Sequence, residues 1–478
     1  MVPQFYVVSS HPSGQFPYSH MPIVPLVRLV LAGAISALIT PVHAQIVELR
    51  ATINAAQEVP ANASPASGTA ILLYDVRANT FDLIVSINGM TNTATASHIH
   101  EAPAGANGGV VTNLGAEAAY TRSGTSLTGN FRNLTYGGDK LKLLQGGAYL
   151  NFHSAQFPGG EVRGQLFARP VRLVAKLDVA QEAAAFPALN FSGVNNFGAA
   201  VMWYDPVANT ISIRHSLFLF SSVFTNSHIH EGAPGASGPA RTQLGTSATA
   251  GAYNSANGHI SGSHDIPFAG DPLLLLTGRN YLNYHSQAFT GGQLRGQIQV
   301  SNEVPSARYG NLSIRGVAGA GDQVLIGGLS ISGTEPVRTL ITAKGPSLTA
   351  FGVTGAVANP RLELYDSAGR LIAFNDDVGA IPAGSELSRI PGVPVNPVEA
   401  ALVVVLPPGN YTAHVSAPSG TGVALLEIND LRSLGEAGIA VSSLPGPTRQ
   451  AVSPLASVAK AALEFCDGLP LATTVANR

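Results

Sequence analysis

The pentapeptide Ser-His-Ile-His-Glu occurs twice, at Ser97–Glu101 and Ser227–Glu231, 130 residues apart, and the sequence around it recurs in the same register. PAGANGG at Pro103–Gly109 is answered by PGASG at Pro234–Gly238, LNFHS at Leu150–Ser154 by LNYHS at Leu282–Ser286, and GGEVRGQL at Gly159–Leu166 by GGQLRGQI at Gly291–Ile298. Both units open with Ala-Gln-Glu after an apolar stretch, at Ala56–Glu58 and Ala180–Glu182. A repeat this long is a whole domain rather than one turn of a solenoid. The units span 46–168 and 171–300, and whatever the first folds into, the second must also fold into.

Period-two alternation dominates both units. Phe81, Leu83, Val85 and Ile87 alternate with Asp82, Ser86 and Asn88; Ile211, Ile213, Leu217 and Leu219 repeat the pattern; and Val171, Leu173, Ala175, Leu177 and Val179 alternate with Arg172, Lys176 and Asp178. Such spacing predicts half-buried antiparallel strands. With 52 Gly and 32 Pro in 478 residues, short strands joined by many turns are expected and long amphipathic helices are not. The fold class is therefore all-β: two tandem antiparallel sandwich or barrel domains and a third sandwich at 307–430, where Arg361–Tyr365 and Arg370–Asn375 flank a Gly-ended hairpin loop and Ala400–Leu406, Tyr411–Ser416 and Val423–Ile428 supply further strands.

Alternation also places the histidines. In a strand, His98 and His100 share one face and Ile99 takes the other; Leu150 and Phe152 point inward, leaving Tyr149, Asn151 and His153 on the polar side, and Glu161, Arg163 and Gln165 fall opposite Val162 and Leu166. If the two segments are neighbours, His98, His100 and His153 collect on one surface, and His228, His230 and His285 do so in the second unit. Three imidazoles suit Zn or Cu, with a position left for water or for a fourth ligand such as Glu101 or Glu231. The same residues also fit a structural reading, in which the imidazoles hold carbonyls of the adjacent Gly/Pro loop or pair with Glu101 and Glu231. Arg163 and Arg295 are expected to form an ion pair or cap loop carbonyls, and Asn151 and Asn283 to support the same surface.

Taken together, the opening strand with Ala-Gln-Glu, the His-Ile-His segment with its Gly/Pro/Ala-rich loop, Asn-x-His and Gly-Gly-x-x-Arg-Gly-Gln resemble the chordin (CHRD) domain. The resemblance implies exported β-rich modules; in the animal proteins that name the family, the domain belongs to extracellular binders of signalling factors. The second unit departs from the pattern in carrying Gln293 where the first has Glu161, and Ala183–Asn196 in place of a Val-Pro turn. In the third domain, LELYDSAGRLIAFNDD within Pro360–Asp377 resembles the pre-peptidase C-terminal domains of bacterial exported proteins, and Asp376-Asp377 offer carboxylates to Ca²⁺ or form a solvated turn.

Arg28 followed by the apolar Leu29–Leu38, with Val42-His43-Ala44 before Gln45, reads as a signal peptide cleaved near Ala44, with Met21 as a start of normal signal-peptide distance. The expected location is secreted, periplasmic or cell-envelope. About ten apolar residues fall short of the ~20 a membrane-spanning helix needs, so the mature chain is expected to have no transmembrane span. A net charge of −2 without Lys or Arg runs argues against nucleic acid. The single cysteine, Cys466, excludes an intramolecular disulfide. His100-Glu101 is followed by Ala102-Pro103 rather than by helix and a further His, which argues against a zinc-protease motif; no P-loop or nucleophile elbow is found, and no catalytic residue is assigned. After a polar connector at Ser301–Ser306, the third domain and the tail 431–478, with a short helix expected at Val452–Phe465, complete the chain. The expected function is an exported binding or surface module whose partner is an extracellular protein or matrix ligand. The alternative is a Zn- or Cu-binding protein, redox-active in one form, built on the three histidines of each unit.

Overall fold

The computed structural model describes residues 45–432 except 188–189, 247–252, 257, 302–310, 381–386 and 388–389. The export signal with Met21 and Ala44, all of the connector except Ser301, Cys466 and the expected tail helix lie outside the described residues.

In the first unit nine strands form one antiparallel sheet. They are β1 (Ile46–Asn54), β2 (Ser67–Asp75), β3 (Thr80–Asn88), β4 (Ala94–Glu101), β5 (Gly109–Gly115), β6 (Thr121–Ser123), β7 (Ser126–Thr135), β8 (Ala148–Ser154) and β9 (Val162–Ala168), in the order β5-β4-β8-β9-β1-β2-β3-β7-β6. Alternation drives it: Val47, Leu49, Ala51 and Ile53 of β1 and Phe81, Leu83, Val85 and Ile87 of β3 all turn to one face and are buried. The sheet curls to a near-barrel around that face. Its ends are drawn together where Ser97 Oγ meets Tyr120 OH at 2.6 Å and Ala94 N donates to Glu117 Oε2 at 2.8 Å. The short helix α1 (Lys140–Leu144), capped by Asp139, which accepts from Leu141 N and Lys142 N, adds buried Leu143 and Leu144 to the same core.

The second unit repeats this with β10 (Val171–Asp178), β11 (Phe197–Asp205), β12 (Thr210–Phe218), β13 (Phe224–Glu231), β14 (Ala240–Thr246), β15 (Tyr253–Ala256), β16 (His259–Pro267), β17 (Asn280–Ser286) and β18 (Leu294–Gln297), the short β19 (Gln299–Val300) also pairing with β10. Strand for strand the order is the same, β14-β13-β17-β18-β10-β11-β12-β16-β15.

Two strands end earlier than their apolar alternation predicts. Val179 does not extend the strand, because Asp178 accepts from Gln181 N and starts the helix α2 (Val179–Ala185), whose Ala, Gln and Glu residues favour helix. Leu219 lies beyond β12 at φ 56° and packs against the core of the third domain. A third helix, α3 (Pro272–Leu276), matches α1.

The third domain is a sandwich of two four-stranded sheets. Its strands are β20 (Asn311–Ala318), β21 (Leu325–Ile331), β22 (Val337–Lys344), β23 (Arg361–Asp366), β24 (Leu371–Asn375), β25 (Ala400–Leu406), β26 (Gly409–Ser416) and β27 (Gly422–Asp430), ordered β20-β27-β22-β25 and β21-β26-β23-β24. It rests on the outer face of the second unit: Val405 packs with Val174, Ala199, Val201 and Trp203, its N–H reaches Ser216 Oγ at 3.0 Å, and Arg172 pairs with Glu335 at 2.6 Å. That cover explains why Val174, on the face opposite the barrel core, is buried. Among the described residues no helix is long and apolar enough to cross a membrane.

Candidate metal centre

β4 and β8 are hydrogen-bonded neighbours, with His98 opposite Asn151, His100 opposite Tyr149 and His153 opposite Ala96 after a register shift. Ile99, Leu150 and Phe152 face the barrel core and are fully buried, which sends all three imidazoles to the outer face. In the second unit His228 lies opposite Asn283, His230 opposite Tyr281 and His285 opposite Asn226.

In each trio one nitrogen per ring lies within 4.8 Å of the others. His98 Nδ1 stands 3.3 Å from His153 Nε2, and His228 Nδ1 stands 3.2 Å from His285 Nε2. Two nitrogens held 2.0–2.1 Å from one tetrahedral ion are separated by about 3.3 Å, so these spacings match the edge of such a site. The remaining nitrogens decide orientation. His100 Nδ1 donates to Gly108 O at 2.9 Å and His153 Nδ1 to Pro158 O at 3.0 Å; His230 and His285 do the same to Gly238 O and Thr290 O, both at 2.9 Å. A ring whose Nδ1–H is held by a carbonyl presents a lone pair at Nε2. His100 Nε2 and His230 Nε2 are buried and have no hydrogen-bond partner. Loop anchoring and ligation, alternatives in the sequence, thus use different nitrogens of the same rings.

Burial first, then the neighbouring imidazoles, lowers the pKa of His98; burial likewise leads for His100, His228 and His285, and takes His230 to about 4. These rings are neutral at pH 7, the form that binds metal.

Glu101 and Glu231 do not join the sites. Each follows its histidine by one residue and turns to the opposite side of the strand, where Glu101 accepts from Tyr136 OH, Asp139 N and Lys142 Nζ, and Glu231 from Asp271 N and Arg241 Nε. They tie the end of the strand to the segment that starts α1 or α3. Among the described residues no further His, Cys, Asp or Glu joins either trio.

Arg163 and Arg295 cap loop carbonyls. Arg163 donates to Ala106 O at 2.8 Å, Pro103 O at 3.2 Å and Gln165 Oε1 at 3.0 Å; Arg295 donates to Ala236 O and Ala233 O, both at 2.9 Å, and to Gln297 Oε1 at 3.1 Å. Each guanidinium lies over a tyrosine, 3.4 Å from the Tyr149 centroid and 3.5 Å from that of Tyr281, and each tyrosine stacks on a site histidine: His100 at 5.0 Å, His230 at 4.9 Å. Alternation alone does not reveal this Arg-Tyr-His stack, although its arginine and histidine lie in the repeated motifs and its tyrosine immediately precedes Leu150 or Leu282 in both units. Gln57 of Ala-Gln-Glu accepts from Gln165 N at 3.1 Å, tying the first turn to β9. Asn151 and Asn283 are buried beside Glu58 and Glu182; Gly160 and Gly292 allow this approach, since a Cβ on Gly160 would stand 2.6 Å from Glu58 Oε2 and 2.7 Å from Asn151 Oδ1.

The CHRD domain family model matches residues 49–166 and 173–298, just over half of the chain. The chain belongs to the CHRD domain family. Each CHRD match contains one complete tri-histidine cluster. No curated protein matches the chain. Among solved structures, the pre-peptidase C-terminal domain of collagenase from Bacillus anthracis is similar to it at 14% identity and a TM-score of 0.17, over 25% of this chain and 89% of that one. In the third domain Asp376 and Asp377 follow the end of β24, away from the hairpin loop, and are not part of a three-residue metal cluster among the described residues.

Proposed function

We propose that each CHRD domain of this chain binds one transition-metal ion, Zn or Cu, through His98, His100 and His153 or through His228, His230 and His285, and that the chain is an exported module carrying two such ions. The observation that carries the reading is the buried, unpartnered Nε2 of His100 and of His230, each facing two further imidazole nitrogens. A buried acceptor left without a donor is destabilising by about 1–3 kcal/mol, a cost that a metal bond removes. Three imidazole nitrogens, two of them on rings whose Nδ1 is held by a loop carbonyl, are a prepared borderline donor set, unlike the oxygen cage Ca²⁺ or Mg²⁺ needs. Export is supported by Arg28, Leu29–Leu38 and the Val42-His43-Ala44 pattern. In an exported module the ion is the ligand held, and the loops hung on His100 and His153 are what its loading would order.

Metal analysis of protein purified without a histidine tag tests this. Two equivalents of Zn or Cu per chain are expected, falling to one in His100→Ala or His230→Ala and to none in the double variant. Absence of stoichiometric metal after exposure to both ions would refute the proposal.

A further inference from the structure

The two centres differ in the side chain that stands beside one of their rings. Thr112-Asn113-Leu114-Gly115 of β5 corresponds to Thr242-Gln243-Leu244-Gly245 of β14. Asn113 is the cross-strand partner of His98 and Gln243 that of His228. These are the rings that no loop carbonyl holds, since His100, His153, His230 and His285 each have theirs. Cross-strand partners share a face of the sheet, so each carboxamide stands beside its imidazole.

The extra methylene of glutamine decides which way the amide turns. Asn113 bends back onto its own strand, where its Oδ1 accepts from Gly115 N at 2.9 Å. Gln243 reaches further: its Nε2 donates to Gly245 O at 3.1 Å, and its side chain is hydrogen-bonded to His228. That bond favours the protonated ring, so the imidazole is the donor and the carboxamide oxygen the acceptor. Among the described residues His98 has no hydrogen bond outside its trio. His228 Nδ1 faces His285 Nε2 at 3.2 Å, which leaves the other nitrogen of His228 for a partner outside the trio. An imidazole that binds a metal through one nitrogen must keep its hydrogen on the other, and an acceptor held there fixes both the tautomer and the ring plane.

We propose that Gln243 is a positioning residue of the second centre, presetting the third imidazole by accepting from His228, so that the second CHRD domain takes a metal ion ahead of the first. The inference rests on the tri-histidine reading. All three rings of the second trio then have an outer acceptor, in Gln243, Gly238 O and Thr290 O, whereas in the first trio only His100 and His153 do. Loss of one such outer partner typically weakens a metal site by about 10–100-fold, which sets the expected gap between the two sites at about tenfold or more.

The test uses the full chain with one centre at a time: His100→Ala leaves the second centre and His230→Ala the first. Each protein is titrated with zinc and, separately, with copper against a competing chelator. The His100→Ala chain is expected to bind about tenfold or more tightly than the His230→Ala chain. Gln243→Leu added to the His100→Ala chain should remove that advantage, whereas Gln243→Glu, which keeps an acceptor at the same reach, should preserve it. Gln243 is exposed on the last strand of its sheet, so neither change touches the core. Equal affinities in the two single-centre chains, a second site unweakened by Gln243→Leu, or Leu and Glu variants that weaken it alike would overturn this inference and leave the tri-histidine reading standing. Wild-type protein that takes up neither zinc nor copper overturns both.

Discussion

Replacing Arg163 by methionine tests whether the outer layer of the centre holds its ligands in place. The buried guanidinium donates to two loop carbonyls and to Gln165, and covers Tyr149, which stacks on His100. Hydrogen bonds involving a charged group contribute about 1.5–3 kcal/mol each, and a desolvated cation over an aromatic ring adds about 2 kcal/mol. Against this stands the cost of burying the cation, which lowers the pKa of Arg163. Removing one partner of a buried charged network typically destabilises by about 3–5 kcal/mol, and methionine retains part of the packing, so a loss of about 3 kcal/mol is expected. Because the freed carbonyls belong to the loop that also holds His100 through Gly108, zinc affinity at the first site should fall about 10–100-fold. Urea unfolding measures the first quantity and calorimetric zinc titration the second, with Arg295→Met as the matching change in the other domain. An Arg163→Met protein with unaltered stability and two unaltered zinc sites would refute the claim that this stack supports the centre.

Glu101→Gln should leave zinc stoichiometry at two and affinity within about threefold, since the carboxylate holds α1 rather than the ion; a lost site in a zinc titration would reinstate it as a ligand. Phe152→Ala should destabilise the first domain by about 3–5 kcal/mol in urea melts, because the fully buried ring leaves a cavity; a change below about 1 kcal/mol would place it outside the core. The metal-free second domain should weaken in acid. Burial lowers His259 and His264 to about 4, below the ~6.5 of an unfolded chain, so the unfolded state binds more protons between those values; stability is full above about pH 6.5 and is lost as pH falls toward 4, by up to about 3 kcal/mol for each ring. The single tryptophan, Trp203 on β11, reports this by fluorescence, and a signal unchanged down to about pH 4 would contradict it.

The duplication and the strand alternation made much of the fold legible, because a one-residue slip would have moved Ile99 and Phe152 out of the core and the histidines into it. The same rule placed His98, His100 and His153 together once β4 and β8 were neighbours. It also sends Glu101 away from the imidazoles, which a choice of ligand by proximity in sequence overlooks. What alternation could not supply was the pairing of distant segments: Tyr149 reads as one more polar-face residue until Arg163 from β9 is laid over it, and Glu58 reads as the end of a turn until β8 and the Gly160 loop bury it. The start of α2 was hidden because Val179 continues an apolar alternation, whereas the cap made by Asp178 is a matter of three-residue geometry. Nor does period two reveal how a sheet closes, so sandwich and barrel stayed equivalent for the first two domains.

Three imidazoles in each CHRD domain are proposed to hold one ion. An anomalous difference map from crystals of zinc-loaded protein, recorded at the zinc edge, tests it most directly. Two peaks per chain are predicted, each about 2.0–2.1 Å from nitrogens of His98, His100 and His153 or of His228, His230 and His285. A map without peaks at these imidazoles, or with zinc seated at Glu101 and Glu231 instead, would contradict it.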